Sequence, residues 1–135
     1  MQGFLLPYGF KNVRSAGILT GSYVAGTIMG PTDTDGDNPA NMNQMEVYVQ
    51  LTLGSLTSAD VKIEFSHDQT YWVQETFDSI AAGVDTESLG LHRMSTTGNY
   101  RLSVPIKDKY IKISALGNGN VSGSSMTIDA TVGVV

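Results

Sequence analysis

Cysteine is absent from the chain. No disulfide framework, thiolate metal site or cysteine nucleophile can be built from it, and the redox compartment stays open. Long apolar runs are missing as well, since no stretch approaches the ~18 apolar residues of a membrane helix. The opening residues, Met1-Gln2-Gly3-Phe4-Leu5-Leu6-Pro7-Tyr8, have no basic n-region and are broken by Pro7, so they do not read as a signal peptide. The expectation is a soluble protein made in a cytoplasm, with no membrane partner. No helical period stands out in any window. No glycine-rich loop follows a strand and opens a helix, so phosphate and nucleotide binding have no support. There is no internal repeat and no low-complexity linker.

What remains is enough for one domain. A chain of 135 residues buries roughly two thirds of its unfolded surface and needs no metal or disulfide to fold. The net charge is −5, and it is unevenly spread. Residues 1–30 carry Lys11 and Arg14. Residues 31–90 carry eleven acids against Lys62 alone, for −10. Residues 91–135 carry five bases against Asp108 and Asp129, for +3. The acidic middle makes nucleic acid an unsuitable partner. Two readings of the asymmetry stand: an ordinary solvated surface, or an electrostatic match between copies or with a neighbouring protein. A sandwich interleaves distant strands, so segment charge need not become a surface patch.

The dominant period is two. In Glu46–Leu53, the residues Val47, Val49, Leu51 and Leu53 fall on one face and Glu46, Tyr48, Gln50 and Thr52 on the other, which is a half-buried strand. Val61, Ile63 and Phe65 repeat the pattern in Val61–Ser66. Tyr71–Phe77 reads as a third strand, led by the lone Trp72, which is expected to pack inward. Tyr100–Val104 alternates until Pro105, which marks a strand end or an edge. Tyr110–Ala115 and Met126–Val132 complete the set, and Gly17–Met29 reads as a strand or a bulged pair. Turn signals lie at Ser66–Thr70 and at Gly117–Asn120. Asp78–Gly98 is less regular, with a short strand around Leu89–Met94 or a loop. The expected fold is an all-β antiparallel sandwich of the jelly-roll or discoidin-like kind, with about seven to eight strands. Its predicted core is Val47, Val49, Leu51, Val61, Ile63, Phe65, Leu102, Val104, Ile111, Ile113 and Ile128.

Residues 1–16 stand apart from a sandwich spanning 17–135. Phe4, Leu5, Leu6, Tyr8 and Phe10 are large and apolar, yet Pro7 and Gly9 break any clean period. The segment is either an irregular first strand covering the core or an arm that docks on another chain. In the second reading Phe4, Leu5, Leu6, Tyr8, Phe10, Lys11 and Arg14 form the interface, the two bases meeting acids at its rim.

Candidate chemistry is sparse. Asp33, Asp35 and Asp37 alternate as ligands of a hard cation such as Ca²⁺ do. The EF-hand likeness then fails, because Asn38 stands where the glycine belongs and Gln44 where the closing glutamate belongs. A flexible acidic loop dispensable for folding is the simpler expectation, and no metal or cofactor is assigned. His67, Asp68 and His92 with nearby serines suggest a Ser–His–Asp set, but no nucleophile elbow is present. Glu64 and Glu75 pose as a glycosidase pair, although solvated acids on a strand face are far commoner. Tyr48, Tyr71 and Trp72 are candidates for stacking on a sugar. The reading is non-enzymatic.

Two segments carry a resemblance. Asp60–Trp72 has a strand ending in Ser66, a short turn with Asp68, and Trp72 opening the return strand. It resembles the hairpin of discoidin-like sandwiches, a feature also found in small virion proteins of tailed phages. Gln69 departs from the glycine usual after that Asp. Tyr110–Gly117 and Ser125–Ala130 are similar to the closing hairpin of such phage proteins. The resemblance implies a capsid decoration or accessory protein of the virion, partnered by the major capsid protein or other virion subunits and by further copies of itself. A tail or neck protein of the same particle is the neighbouring reading. A carbohydrate- or receptor-binding module is the reading from a different class. A buried Trp72 with an extended N-terminal arm favours a particle component; an exposed Trp72 beside Tyr71 and Asp68 favours a surface glycan.

Overall fold

The computed structural model describes the backbone of residues 6–30, 42–81 and 84–134, and the side chains of 11–30, 42–75 and 90–133. Among the described residues there are eleven strands and no helix: β1 (Leu6–Arg14), β2 (Val24–Ala25), β3 (Gln44–Thr52), β4 (Leu56–Ser66), β5 (Val73–Gln74), β6 (Thr76–Ala81), β7 (Val84–Leu89), β8 (His92–Met94), β9 (Gly98–Pro105), β10 (Tyr110–Gly119) and β11 (Ser125–Val134). One sheet runs β1-β11-β3-β9. The other runs β2-β10-β4-β5, with β8 also on β4. β6 and β7 form a ribbon of their own. Every pairing is antiparallel.

The period-two pattern becomes the space between the sheets. β3 buries Met45, Val47, Val49 and Leu51, and β11 buries Met126, Ile128, Ala130 and Val132. From the other sheet come Ala59, Val61, Ile63 and Phe65 of β4 and Ile111, Ile113 and Ala115 of β10. Every residue of the predicted core is buried except Leu102, which is half-buried on edge strand β9 and packs against the core from there. The core also takes Met29, Met45, Met94 and Met126, unbranched side chains that fill irregular gaps between β-branched neighbours.

Several expectations are corrected. Gly17–Met29 is not a full strand. It follows the edge of β10, touching it through the short β2 and a bridge between Met29 and Ile111. Gly26 is required there, because a Cβ would lie 2.4 Å from the carbonyl oxygen of Val13. Gly117–Asn120 is not the closing turn. β10 continues to Gly119, and Gly117 lies within it because Leu56 and Leu19 fill the space that a side chain would take. Tyr71–Phe77 is not one strand but β5 followed by β6; Asp78–Gly98 holds, besides the short strand expected around Leu89–Met94 (β8), most of β6 and all of β7.

Residues 6–14 are β1, an edge strand of the domain's own sheet, in register with β11 from Leu6 opposite Val134 to Arg14 opposite Ile128. Register shifts fall between Pro7 and Gly9 and between Asn12 and Arg14. The irregular first strand, not a detached arm, is what the backbone forms here. Within sheets proline is confined to edges, strand starts and bulges, and Pro7 lies on an edge strand beside a register shift.

Candidate functional site

The hairpin turn after β4 is built around a buried serine. Ser66 Oγ accepts the backbone N–H of Asp68 at 3.2 Å and of Gln69 at 2.8 Å, and donates to Asp68 Oδ1 at 3.0 Å. Asp68 Oδ1 accepts the N–H of Thr70 at 2.8 Å and of Tyr71 at 3.0 Å. The N–H groups of Tyr71 and Thr70 hold the Asp68 carboxyl down to about 2. Gln69 sits at φ 64°, a left-handed position where glycine is at ease, and glycine is what the resemblance expects there. His67 lies 3.7 Å from Asp68 and is largely exposed. The Ser66 hydroxyl is buried and aimed at Asp68 rather than at a histidine, so this trio caps a turn. His92 belongs elsewhere.

On the outer face of the five-stranded sheet the polar groups engage one another. Glu64 lies 3.7 Å from Lys62 and 3.8 Å from Lys112. Lys62 stands over the Tyr23 ring at 4.5 Å and Lys112 over the Trp72 ring at 4.3 Å. Trp72 is therefore a half-buried member of this outer stripe and not a core residue. The cause is parity: Val73 pairs with inward-facing Phe65, which turns Trp72 outward. Tyr71 beside it is 73% exposed. Glu75 pairs instead with His92 at 2.8 Å, so the posed Glu64–Glu75 acid pair is divided between different partners.

Asp60 is buried on the same sheet. Arg93 donates to both its oxygens, Nε at 2.8 Å and Nη2 at 2.9 Å, and Asn118 donates to Oδ2 at 3.0 Å. These bonds, Arg93 first, lower the Asp60 carboxyl against the opposing effect of burial. A depressed carboxylate contributes stability that is complete above its unfolded value and lost as pH falls through the folded one. Unfolding midpoints should therefore drop below about pH 4. Asp60→Asn should flatten that acid slope, leaving the part due to Asp68; an unchanged slope in thermal melts at stepped pH would refute the assignment.

The outer face of the four-stranded sheet differs. Across the strands, register aligns Arg101, Tyr48, Asp129 and Asn12 in one row and Asn99, Gln50 and Thr127 in the next. Beyond the second row, Thr52 pairs with Ser125. A cleft of about 390 Å³ opens there, lined by Gln50, Thr52, Thr97, Asn99, Ser125 and Thr127 over Ala16, Leu51 and Gly98.

Of the expected interface residues, Phe4 and Leu5 lie outside the described residues, as does the Asp33, Asp35 and Asp37 loop. Leu6, Tyr8 and Phe10 are placed by backbone alone, on β1. Lys11 is half-buried. Arg14 is not a rim cation awaiting a partner. Its guanidinium donates to the carbonyls of Met126 at 3.2 Å, Gly17 at 3.2 Å and Ile18 at 2.8 Å, tying β1 to its own domain.

No family model matches the chain, and no curated protein does. A solved structure of tripeptidyl peptidase 2 is similar over 86% of this chain and 10% of its own, at 7% identity and a TM-score of 0.37. The chain thus spans about a tenth of that protein, and the likeness is too slight to carry an argument about function.

Proposed function

We propose that the chain is a non-enzymatic structural component of a tailed-phage virion, a capsid decoration protein that binds the shell in many copies. Trp72 turned outward beside exposed Tyr71, and β1 paired within its own domain, meet neither condition expected of a particle component, so the reading rests on the resemblance and on one observation, the β6–β7 ribbon. Among the described residues its strands pair with each other and with neither sheet. A lone two-stranded ribbon is marginal in water, and the register here sets Asp78 opposite Glu87. Its root, by contrast, is firmly held. Gly90 N–H donates to the Glu75 carbonyl at 2.6 Å, Gln74 donates to the Gly90 carbonyl at 2.8 Å, and His92 closes on Glu75. A weak ribbon on a fixed root suits insertion against a neighbouring subunit, whose surface supplies what the ribbon lacks. Edge strands β1 and β9, each paired on one side only among the described residues, offer further strand-edge contacts of the same kind.

The test is excision. Glu75 and Gly90 already meet, so residues 76–89 can be replaced by Asn-Gly, which closes a tight hairpin. The shortened protein should melt within a few degrees of the parent and no longer bind shells or self-associate. Full shell binding by the folded variant would remove the ribbon from the interface.

A further inference from the structure

We propose that the cleft on the outer face of the four-stranded sheet is a binding site for a neutral saccharide. The two outer faces use their polar groups in opposite ways. On the five-stranded sheet, Asp60, Lys62, Glu64, Arg93, Lys112 and Asn118 are engaged with one another. In the cleft, the side chains of Gln50, Thr52, Asn99, Ser125 and Thr127 have no hydrogen-bond partner among the described residues. Thr97 makes a single bond, accepting the Leu53 N–H at 2.9 Å. The result is a concave surface of unengaged hydroxyls and amides.

The lining selects the chemistry of the ligand. No charged side chain lines the cleft, so neither an anion nor a cation finds a counter-charge. Arg101, in the adjoining row, lies 3.8 Å from Glu46. Apolar walls are few, which disfavours a lipid or a greasy peptide anchor. A sugar fits instead, because each of its hydroxyls both donates and accepts, as the hydroxyls and amides of this lining do. The volume of about 390 Å³ lies in the range of small-ligand sites. An aromatic wall is at hand too. Tyr48 is 39% exposed on the same strand face, two residues before Gln50, or roughly 7 Å along the strand. From that position an aromatic side chain can reach the apolar side of a pyranose extending out of the cleft.

The experiment is a ¹H–¹⁵N NMR titration of the whole chain with lactose, maltose, cellobiose and diacetylchitobiose, each to about 20 mM, which detects millimolar affinity. At least one should shift the side-chain amides of Gln50 and Asn99 and the backbone signals of residues 50–52, 97–99 and 125–127. Gln50→Ala and Asn99→Ala lie at exposed positions and should keep the parental melting temperature while weakening binding about tenfold each. Tyr48→Ala should weaken it also, and Tyr71→Ala should not. The proposal is overturned if none of the four sugars moves these signals. It is equally overturned if the shifts gather at Tyr71 and Trp72, or if glucuronic acid binds the cleft as well as the neutral sugars do.

Discussion

A chain beginning at Ser15 is expected to lose most of its folding stability, so that it unfolds at far lower urea than the parent or precipitates. Removing residues 1–14 strips β1 from β11 and turns an interior strand with a buried apolar face into an edge. It removes Val13, buried to 2% exposure, worth roughly 1.5–3 kcal/mol. It also deletes the three Arg14 bonds to main-chain carbonyls and the 2.8 Å bond from Thr27 N–H to the Val13 carbonyl. That last bond links β1 to the segment running beside the opposite sheet. Each hydrogen bond contributes about 1 kcal/mol net, so the combined loss is a large share of the roughly 5–15 kcal/mol that domains possess. Urea unfolding followed by fluorescence, with size-exclusion chromatography beside it, measures the effect. A shortened chain of near-parental stability would mean that residues 1–14 are a detachable arm after all.

Ile113→Ala is expected to cost about 2–5 kcal/mol, the range for a fully buried aliphatic residue truncated to alanine. Ile113 is 1% exposed, pairs with Ile63 in the centre of the five-stranded sheet, and faces the strands of the other sheet. Leu102→Ala, at a half-buried place on edge strand β9, should cost distinctly less, because water and neighbours can fill the space. Denaturant midpoints of the two variants compare them directly. Equal losses would mean that β9 is as enclosed as the sheet centre.

Strands that bury one face write their phase into the sequence, and those were legible. β3, β4, β10 and β11 each place apolar residues at alternate positions because a slip of one residue would expose all of them. The methionines were harder to place, since their flexible side chains carry no strand preference that marks them as core. Trp72 was misplaced because Tyr71–Phe77 reads as one strand, whereas the ladder of β5 takes its phase from Phe65 and leaves Trp72 outward. β6 and β7 were hidden for a different reason: Thr76–Ala81 and Val84–Leu89 show no strict alternation of apolar and polar residues. Pro7 and Gly9 argued against a regular strand, and β1 accommodates them by a register shift between the two.

Among the described residues, four acids of the middle segment meet cationic or titratable groups of the last one: Asp60 with Arg93, Glu64 with Lys112, Glu46 with Arg101 and Glu75 with His92. The turn at Ser66–Asp68 was legible as a turn but not as a site, and its geometry keeps it a turn. The cleft could not be read in advance. Its members come from β3, β9, β11, the turn before β9 and the segment after β1, and threonine, glutamine and asparagine on an outer face are ordinary until register brings them together.

The most direct test of the proposed assembly is cryo-electron microscopy of tailed-phage particles produced with the coding sequence of this chain present and with it deleted. The account predicts an all-β density repeated over the capsid surface, contacting the shell through the β6–β7 ribbon, and absent from the deletion particle. Capsids that are identical with and without the chain, with no such density on the head, would contradict it.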